Sequence, residues 1–350
     1  MFPQDPRTEA LPARPLDRRL LRALFLDLLG RPPLRAELER WLGAGLDELL
    51  DDVLGSLELR RHWLDEELYF FLLIDNFRPG SERVRAIPEE LHEGRLDVRQ
   101  ALHRIALSPS FDLRNPGADT FVTVVMEQIC GLRVQRMARE LEIGKRIYDG
   151  GAGVFLGERG SSQSDIVRIA IESRAAARTF VAREYERYVH VGPPEKELAA
   201  WSRAFHRDPR VYLELLRGWL SSDAYRERLA RPIPHSNRLF VRSIFVDLLD
   251  RPPSAEESEP LREALDGLSD SGPLRSILVR LMLDSGRATL PERAAIDDRP
   301  EFVRALFLRL LRRGPRASEL ATFVAALDDP TCRTETVVLA IVSHPEYQRY

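Results

Sequence analysis

Seven histidines, two cysteines and one glycine-rich loop are the features of this sequence that could hold a metal, act as a nucleophile or cradle a phosphate. The histidines stand at His62, His92, His103, His190, His206, His235 and His344, and none falls in an H-E-x-x-H or comparable ligand spacing. His92 and His103 would share a face of one continuous helix, but Gly94 interrupts it. They read as ordinary surface or core residues, and no metal is expected. Cys130 sits in the apolar run Val124-Val125-Met126-Glu127-Gln128-Ile129-Cys130, where a thiol behaves as a small buried hydrophobe. A reactive thiolate needs a cationic, partly exposed setting, and Arg133 is the cation nearby. Cys130 and Cys332 are too few for a disulfide framework, and there is no C-x-x-C.

The loop Asp149-Gly150-Gly151-Ala152-Gly153 lacks the Gly-Lys-Ser/Thr and G-x-G-x-x-G frames that bind phosphate, so it reads as a loop or tight turn. Ser161-Ser162-Gln163-Ser164-Asp165 reads as the N-cap of a helix starting near Asp165. Glu66, Glu67 and Asp75 offer a carboxylate pair, but charges on a solvated helix face are no evidence of acid–base chemistry. No catalytic residue is assigned.

All but two of the 52 basic residues are arginine, the exceptions being Lys145 and Lys196. Guanidinium groups grip phosphate and carboxylate in a fork. Here they interleave with Asp and Glu, as solvated helix faces do. A net charge of -3 argues against a general nucleic-acid binder, which would be basic. Apolar runs such as residues 20–29 are cut by charges, and none reaches the ~20 residues that span a bilayer. No apolar stretch of signal-peptide length follows Met1, so the chain is read as cytoplasmic.

The elements that must position these residues are helical. Leu21, Leu24, Phe25, Leu28 and Leu29 recur at three-to-four spacing, one apolar helix stripe, and strand-like alternation is nearly absent. The stripe is one copy of a recurring pattern: an apolar helix, a proline-marked turn, a second helix, then a third closed by a small polar residue and an aromatic. Leu20-Leu21-Arg22-Ala23-Leu24-Phe25-Leu26-Asp27-Leu28-Leu29-Gly30-Arg31-Pro32-Pro33 aligns without a gap to Phe240-Val241-Arg242-Ser243-Ile244-Phe245-Val246-Asp247-Leu248-Leu249-Asp250-Arg251-Pro252-Pro253. Phe302-Val303-Arg304-Ala305-Leu306-Phe307 with Arg313-Gly314-Pro315 keeps the frame, and Phe180-Val181 with Gly192-Pro193-Pro194 is a degenerate copy. Ser254 and Glu257 have the spacing of a capping box. The closings end in Phe111, Tyr225 and Tyr347, whose rings are suited to docking into the core. Residues 121–141 read as one long helix and the aromatic-rich residues 62–74 as a buried helix.

Leu26-Asp27-Leu28-Leu29-Gly30-Arg31-Pro32-Pro33, Arg61-His62-Trp63-Leu64, Arg114-Asn115-Pro116 and Gly131-Leu132-Arg133-Val134-Gln135 follow one another in an order that resembles an uncharacterised domain of secreted cytochrome-c-like proteins, abundant in planctomycetes. The resemblance covers roughly residues 17–150, and the later copies look like bacterial repeat modules related to phycobilisome linkers. It implies an all-α fold. In many members the Gly-Leu-Arg-Val-Gln stretch runs into a C-x-x-C-H haem motif; here Arg136 and Arg139 replace the cysteines and Glu140 the histidine. Covalent haem needs two thiols and an axial imidazole. The resemblance therefore supports the fold and removes the redox chemistry.

The expected organisation is an N-terminal tail over 1–16, the family-like domain with the first copy over 17–150, and further helical units over 151–232, 233–290 and 291–350. The expected function is non-enzymatic: a helical interaction or assembly protein with no cofactor, whose partners are other proteins or copies of itself. Trp63, Tyr69, Phe77, Tyr225 and Tyr347 are the expected anchors, since aromatics concentrate at interface hot spots. The alternative is a redox-accessory or enzymatic protein that keeps a non-covalent cofactor near Arg136, Arg139 and Tyr148, the arginines binding a propionate or phosphate.

Overall fold

Helix Arg18–Leu29 shows how the apolar spacing becomes structure. Asp17 caps it by accepting the Leu20 N–H at 2.8 Å. Leu21, Leu24, Phe25 and Leu28 are buried along one stripe. Gly30, left-handed at φ 64°, ends it and returns its N–H to the Leu26 carbonyl. The computed structural model describes residues 15–72, 79–288 and 290–350.

The turn that follows recurs with the same atoms. Arg31 forks onto Glu37 at 2.7 and 2.8 Å and donates to the Pro32 carbonyl, while Glu37 accepts the Leu34 N–H. Arg251 does the same with Glu257, Pro252 and Ser254, and Arg313 with Glu319, Gly314 and Arg316. Each guanidinium also lies 5.4–5.6 Å from the ring of the phenylalanine six residues earlier: Phe25, Phe245 and Phe307. The residue before each arginine is left-handed: Gly30, Asp250 and Arg312. His190, before Val191-Gly192-Pro193-Pro194, is left-handed too, although no arginine follows it.

Helices make up almost all the regular structure among the described residues, and the chain is all-α apart from one hairpin. Strands Gly153–Phe155 and Glu158–Gly160 pair antiparallel with Gly153 opposite Gly160. Leu156 and Gly157, both at positive φ, form the two-residue turn. The glycine-rich segment, read from the sequence as a loop or tight turn, holds a turn at residues 149–150 and then leads into this hairpin. Ser162 caps helix Gln163–Glu172, two residues earlier than the sequence implied. The capping box of Ser254 and Glu257 is present.

Residues 121–141 do not form one helix. Helix Gly117–Val124 passes into a π-helical turn over Val125–Ile129, and Gly131 at φ 64° stops it. A new helix, Ala138–Tyr148, begins after a 3-10 turn.

The described residues fall into two compact units. The first contains the chain up to Leu49 together with Arg226–Tyr350; the second is Leu50–Tyr225. This corrects the expected domains, because the first copy of the pattern belongs with residues 226–350 and not with the stretch up to 150. In the first unit a core including Phe240, Phe245, Val303, Phe307, Val338 and Tyr347 is continuous. Its C-terminal segment is clipped by paired backbone bonds between Ile233 and Tyr350, with His235 N–H donating to the Gln348 carbonyl. In the second unit edge-to-face contacts run Phe71–Phe111–Phe121, with Tyr148 tilted on Phe121.

Candidate functional site

Each unit contains a buried polar centre. In the first unit, Asp247 lies inside the apolar run of helix Asn237–Leu249, so its carboxylate must find partners without water. Arg22 supplies two hydrogen bonds, Nη1 to Oδ1 at 2.9 Å and Nη2 to Oδ2 at 2.8 Å. The Tyr347 hydroxyl supplies a third at 2.7 Å. Arg309 donates to the Asp247 backbone carbonyl. Burial, then the Asp247 charge, lifts the Tyr347 hydroxyl well above the usual range, so it stays a donor.

His235 packs on this centre between the rings of Tyr347 and Tyr350. Both its ring nitrogens are buried without a hydrogen-bond partner. Burial, with Arg22, Arg312 and Arg275 nearby, drives its proton affinity well below that of a free histidine, so it is neutral at physiological pH. Arg312 donates Nη2 to the Glu346 carbonyl at 2.9 Å, and its Nη1 is buried without a partner. Burial and the adjacent Arg22 push Arg312 down to about 10. Arg22 and Arg312 both line two cavities, of about 450 and 460 Å³. The smaller of these also takes in Arg19, Leu229, Arg349 and Tyr350; the larger takes in Arg35, Asp250, Glu301 and Arg309. A second bidentate pair, Arg228 on Asp27 at 2.8 and 3.0 Å, is buried in the same unit.

In the second unit, Glu67 and Glu184 are both fully buried. Arg183 and Arg187 bond Glu67 at 2.6 and 2.9 Å, Arg187 also pairs with Glu184 at 3.0 Å, and Tyr212 donates its hydroxyl to Glu184. Burial raises the Glu184 carboxyl, opposed by Arg187, while the Glu67 charge raises it further. Arg183 stacks 4.1 Å from the Phe70 ring centroid. Two carboxylates facing two guanidiniums hold helix Leu57–Leu72 to helix Arg174–Val189. An apolar cavity of about 150 Å³ lies alongside, lined by Leu59, Trp63, Leu96, Tyr212 and Leu216 among others.

Three of the expected anchors are core residues. Trp63 is 4% exposed, and Tyr225 and Tyr347 are 0% exposed, so none presents a face to a partner. Tyr69 is exposed, and Phe77 lies outside the described residues, as does Asp75. Arg136 and Arg139 are exposed, Tyr148 rests on Phe121, and none of the three lines any cavity described here. Glu67, read from the sequence as a charge on a solvated helix face, is instead fully buried, and His235 is a buried histidine; sequence reasoning passed over Arg22, Asp247 and Glu184. One signal was available: Asp27 and Asp247 each interrupt an apolar run, over residues 23–29 and 244–249, and a carboxylate there implies a buried partner.

Among the described residues no three His, Cys, Asp or Glu side chains converge as metal ligands, and no helix is long and apolar enough to cross a membrane. Compared with known proteins, the chain matches no family model, no curated protein and no solved structure.

Proposed function

We propose that the protein is a non-enzymatic interaction or assembly protein that works through exposed helix faces. The observation that supports this is helix Gly272–Asp284. Its inner face places Leu278, Val279 and Leu283 in the core. On another face Ile277 and Leu281, one turn apart, are 54% and 61% exposed, and half-buried Leu274 continues their line. A helix that already buries one apolar face and shows a second is suited to packing against another helix or groove.

The recurring Phe–Arg–Glu turn favours a chain built from related helical segments, which stack into long exposed faces. The buried ion pairs fix those segments rigidly, as a binding scaffold requires. The substitution of both haem cysteines in the resembled motif fits binding rather than electron transfer.

The test is a double substitution, Ile277→Asp with Leu281→Asp, compared with the native chain for self-association by sedimentation and for co-isolating proteins in the source organism. Loss of one defined association in the variant, with unchanged circular dichroism, supports the reading. The same associations in both proteins, or a Soret or flavin band in the purified protein, overturns it.

A further inference from the structure

The 450 Å³ cavity of the first unit has a charge pattern that the core does not explain. Five guanidiniums line it: Arg19, Arg22, Arg312, Arg313 and Arg349. Two are matched, Arg22 by Asp247 and Arg313 by Glu319 and Glu346. The other three form no ion pair with a carboxylate among the described residues, although Arg312 feels the Asp247 charge that Arg22 already engages. Arg19 and Arg312 donate only to neutral backbone carbonyls, those of Leu229 and Glu346, and Arg312 Nη1 is buried with no acceptor at all.

We propose that this cavity binds a small organic phosphate, with Arg312 as its inner donor and Arg19 and Arg349 closing over the anion at the mouth. Arg312 lies inside the wall, whereas Arg19 and Arg349 are exposed, so the donors are graded from interior to rim. A phosphate carries about -1.5 to -2 charge at neutral pH, which suits three unmatched guanidiniums better than a single carboxylate does. Arginine forks also match phosphate oxygens in geometry. Arg312 holds its proton less tightly than usual because it is buried beside Arg22 and Arg19, a strain that an anion would relieve.

The rest of the wall defines the rest of the ligand. Leu229, Pro232, Leu311 and Pro345 are apolar, and Tyr350 is aromatic. The volume lies within the ~300–1,000 Å³ typical of small-molecule sites. The ligand is therefore a phosphate ester of a compact apolar or aromatic group. The neighbouring 460 Å³ cavity is a poorer candidate, because Glu39, Asp247, Asp250 and Glu301 balance its arginines.

Isothermal titration at low salt with phenyl phosphate, inorganic phosphate and benzoate tests this on the full chain. Saturable one-to-one binding of phenyl phosphate is expected, tighter than either of the others. Arg349→Gln and Arg19→Gln, at exposed positions, are each expected to weaken it by about tenfold, the scale of one charge-assisted hydrogen bond. Arg312→Gln is expected to abolish it, while Arg159→Gln, on the hairpin, leaves it unchanged. No saturable binding overturns the proposal. So does binding that survives both rim substitutions, or benzoate binding as tightly as phenyl phosphate.

Discussion

Arg22 and Asp247, 225 positions apart, form a bidentate pair at 2.9 and 2.8 Å with 5% of each side chain exposed. The pair fastens helix Arg18–Leu29 to helix Asn237–Leu249, and Tyr347 closes it from the last segment of the chain. Removing one partner of such a pair strands a charge in the interior, which costs about 3–5 kcal/mol. Arg22→Met and Asp247→Asn are each expected to lower unfolding free energy by that order in urea titrations followed by circular dichroism. Arg22→Met with Asp247→Leu is expected to recover much of the loss. Single substitutions costing under about 1 kcal/mol would show that the pair does not hold the unit together.

The repeated turn predicts a pH dependence. The Arg251 fork, then the Ser254 N–H, holds the Glu257 carboxyl down at about 2; Arg313 does the same for Glu319, also about 2. A carboxyl held below its unfolded value of 4.5 contributes stability that is complete above that pH and is lost as pH falls toward 2. The native thermal midpoint should therefore drop between pH 4.5 and 2. Glu257→Gln with Glu319→Gln should start lower at pH 7 and fall less across that window. Parallel curves for the two proteins would remove these turns from the acid response.

Local features of this fold are legible in the sequence and distant ones are not. Helix Arg18–Leu29 and the capping box of Ser254 and Glu257 are read correctly because each depends on residues within one or two turns. The left-handed ends at Asp250, Arg312 and His190 carry no glycine, so only Gly30 announces the geometry that all four share. The break at Gly131 was hidden inside an apolar run, and the hairpin depends on Leu156 accepting a positive φ. Partners such as Glu67 with Arg183 and Arg187 are 116 and 120 positions apart, beyond any spacing rule. Aromatic type alone does not separate core from surface: the closing rings of Phe111, Tyr225 and Tyr347 dock into the core as their place in the pattern implies, and Trp63 is buried with them, so none of these is an anchor on the surface.

Gly144 opposes propensity to packing. In the interior of helix Ala138–Tyr148, glycine to alanine should gain up to ~1 kcal/mol of helix propensity. An added methyl group, however, would stand 2.5 Å from Val122 Cγ1 and 3.2 Å from Phe155 Cε2. Both neighbours are fully buried and have little room to move. Overpacking of this kind costs roughly 1–3 kcal/mol, so Gly144→Ala should destabilise. Adding Val122→Ala, which reopens the space, should make the alanine at 144 less costly than it is alone. A stabilised single variant in urea titration would refute the close approach.

Cys130 offers a test of burial that needs no substitution. Its thiol is 2% exposed, weakly bonded to the Ala170 carbonyl and in reach of the Ser173 hydroxyl. Burial pushes it up to about 11, against a smaller pull from Ser173. The thiolate is the reactive species, so at pH 8 Cys130 is almost wholly unreactive as well as shielded. Cys332 is partly exposed. Titration with a disulfide reagent at pH 8 should therefore show one thiol reacting promptly in the native protein and a second only in denaturant. If both react at one rate without denaturant, Cys130 is open to solvent, and the packing of helix Gln163–Glu172 against the π-helical turn Val125–Ile129 is wrong.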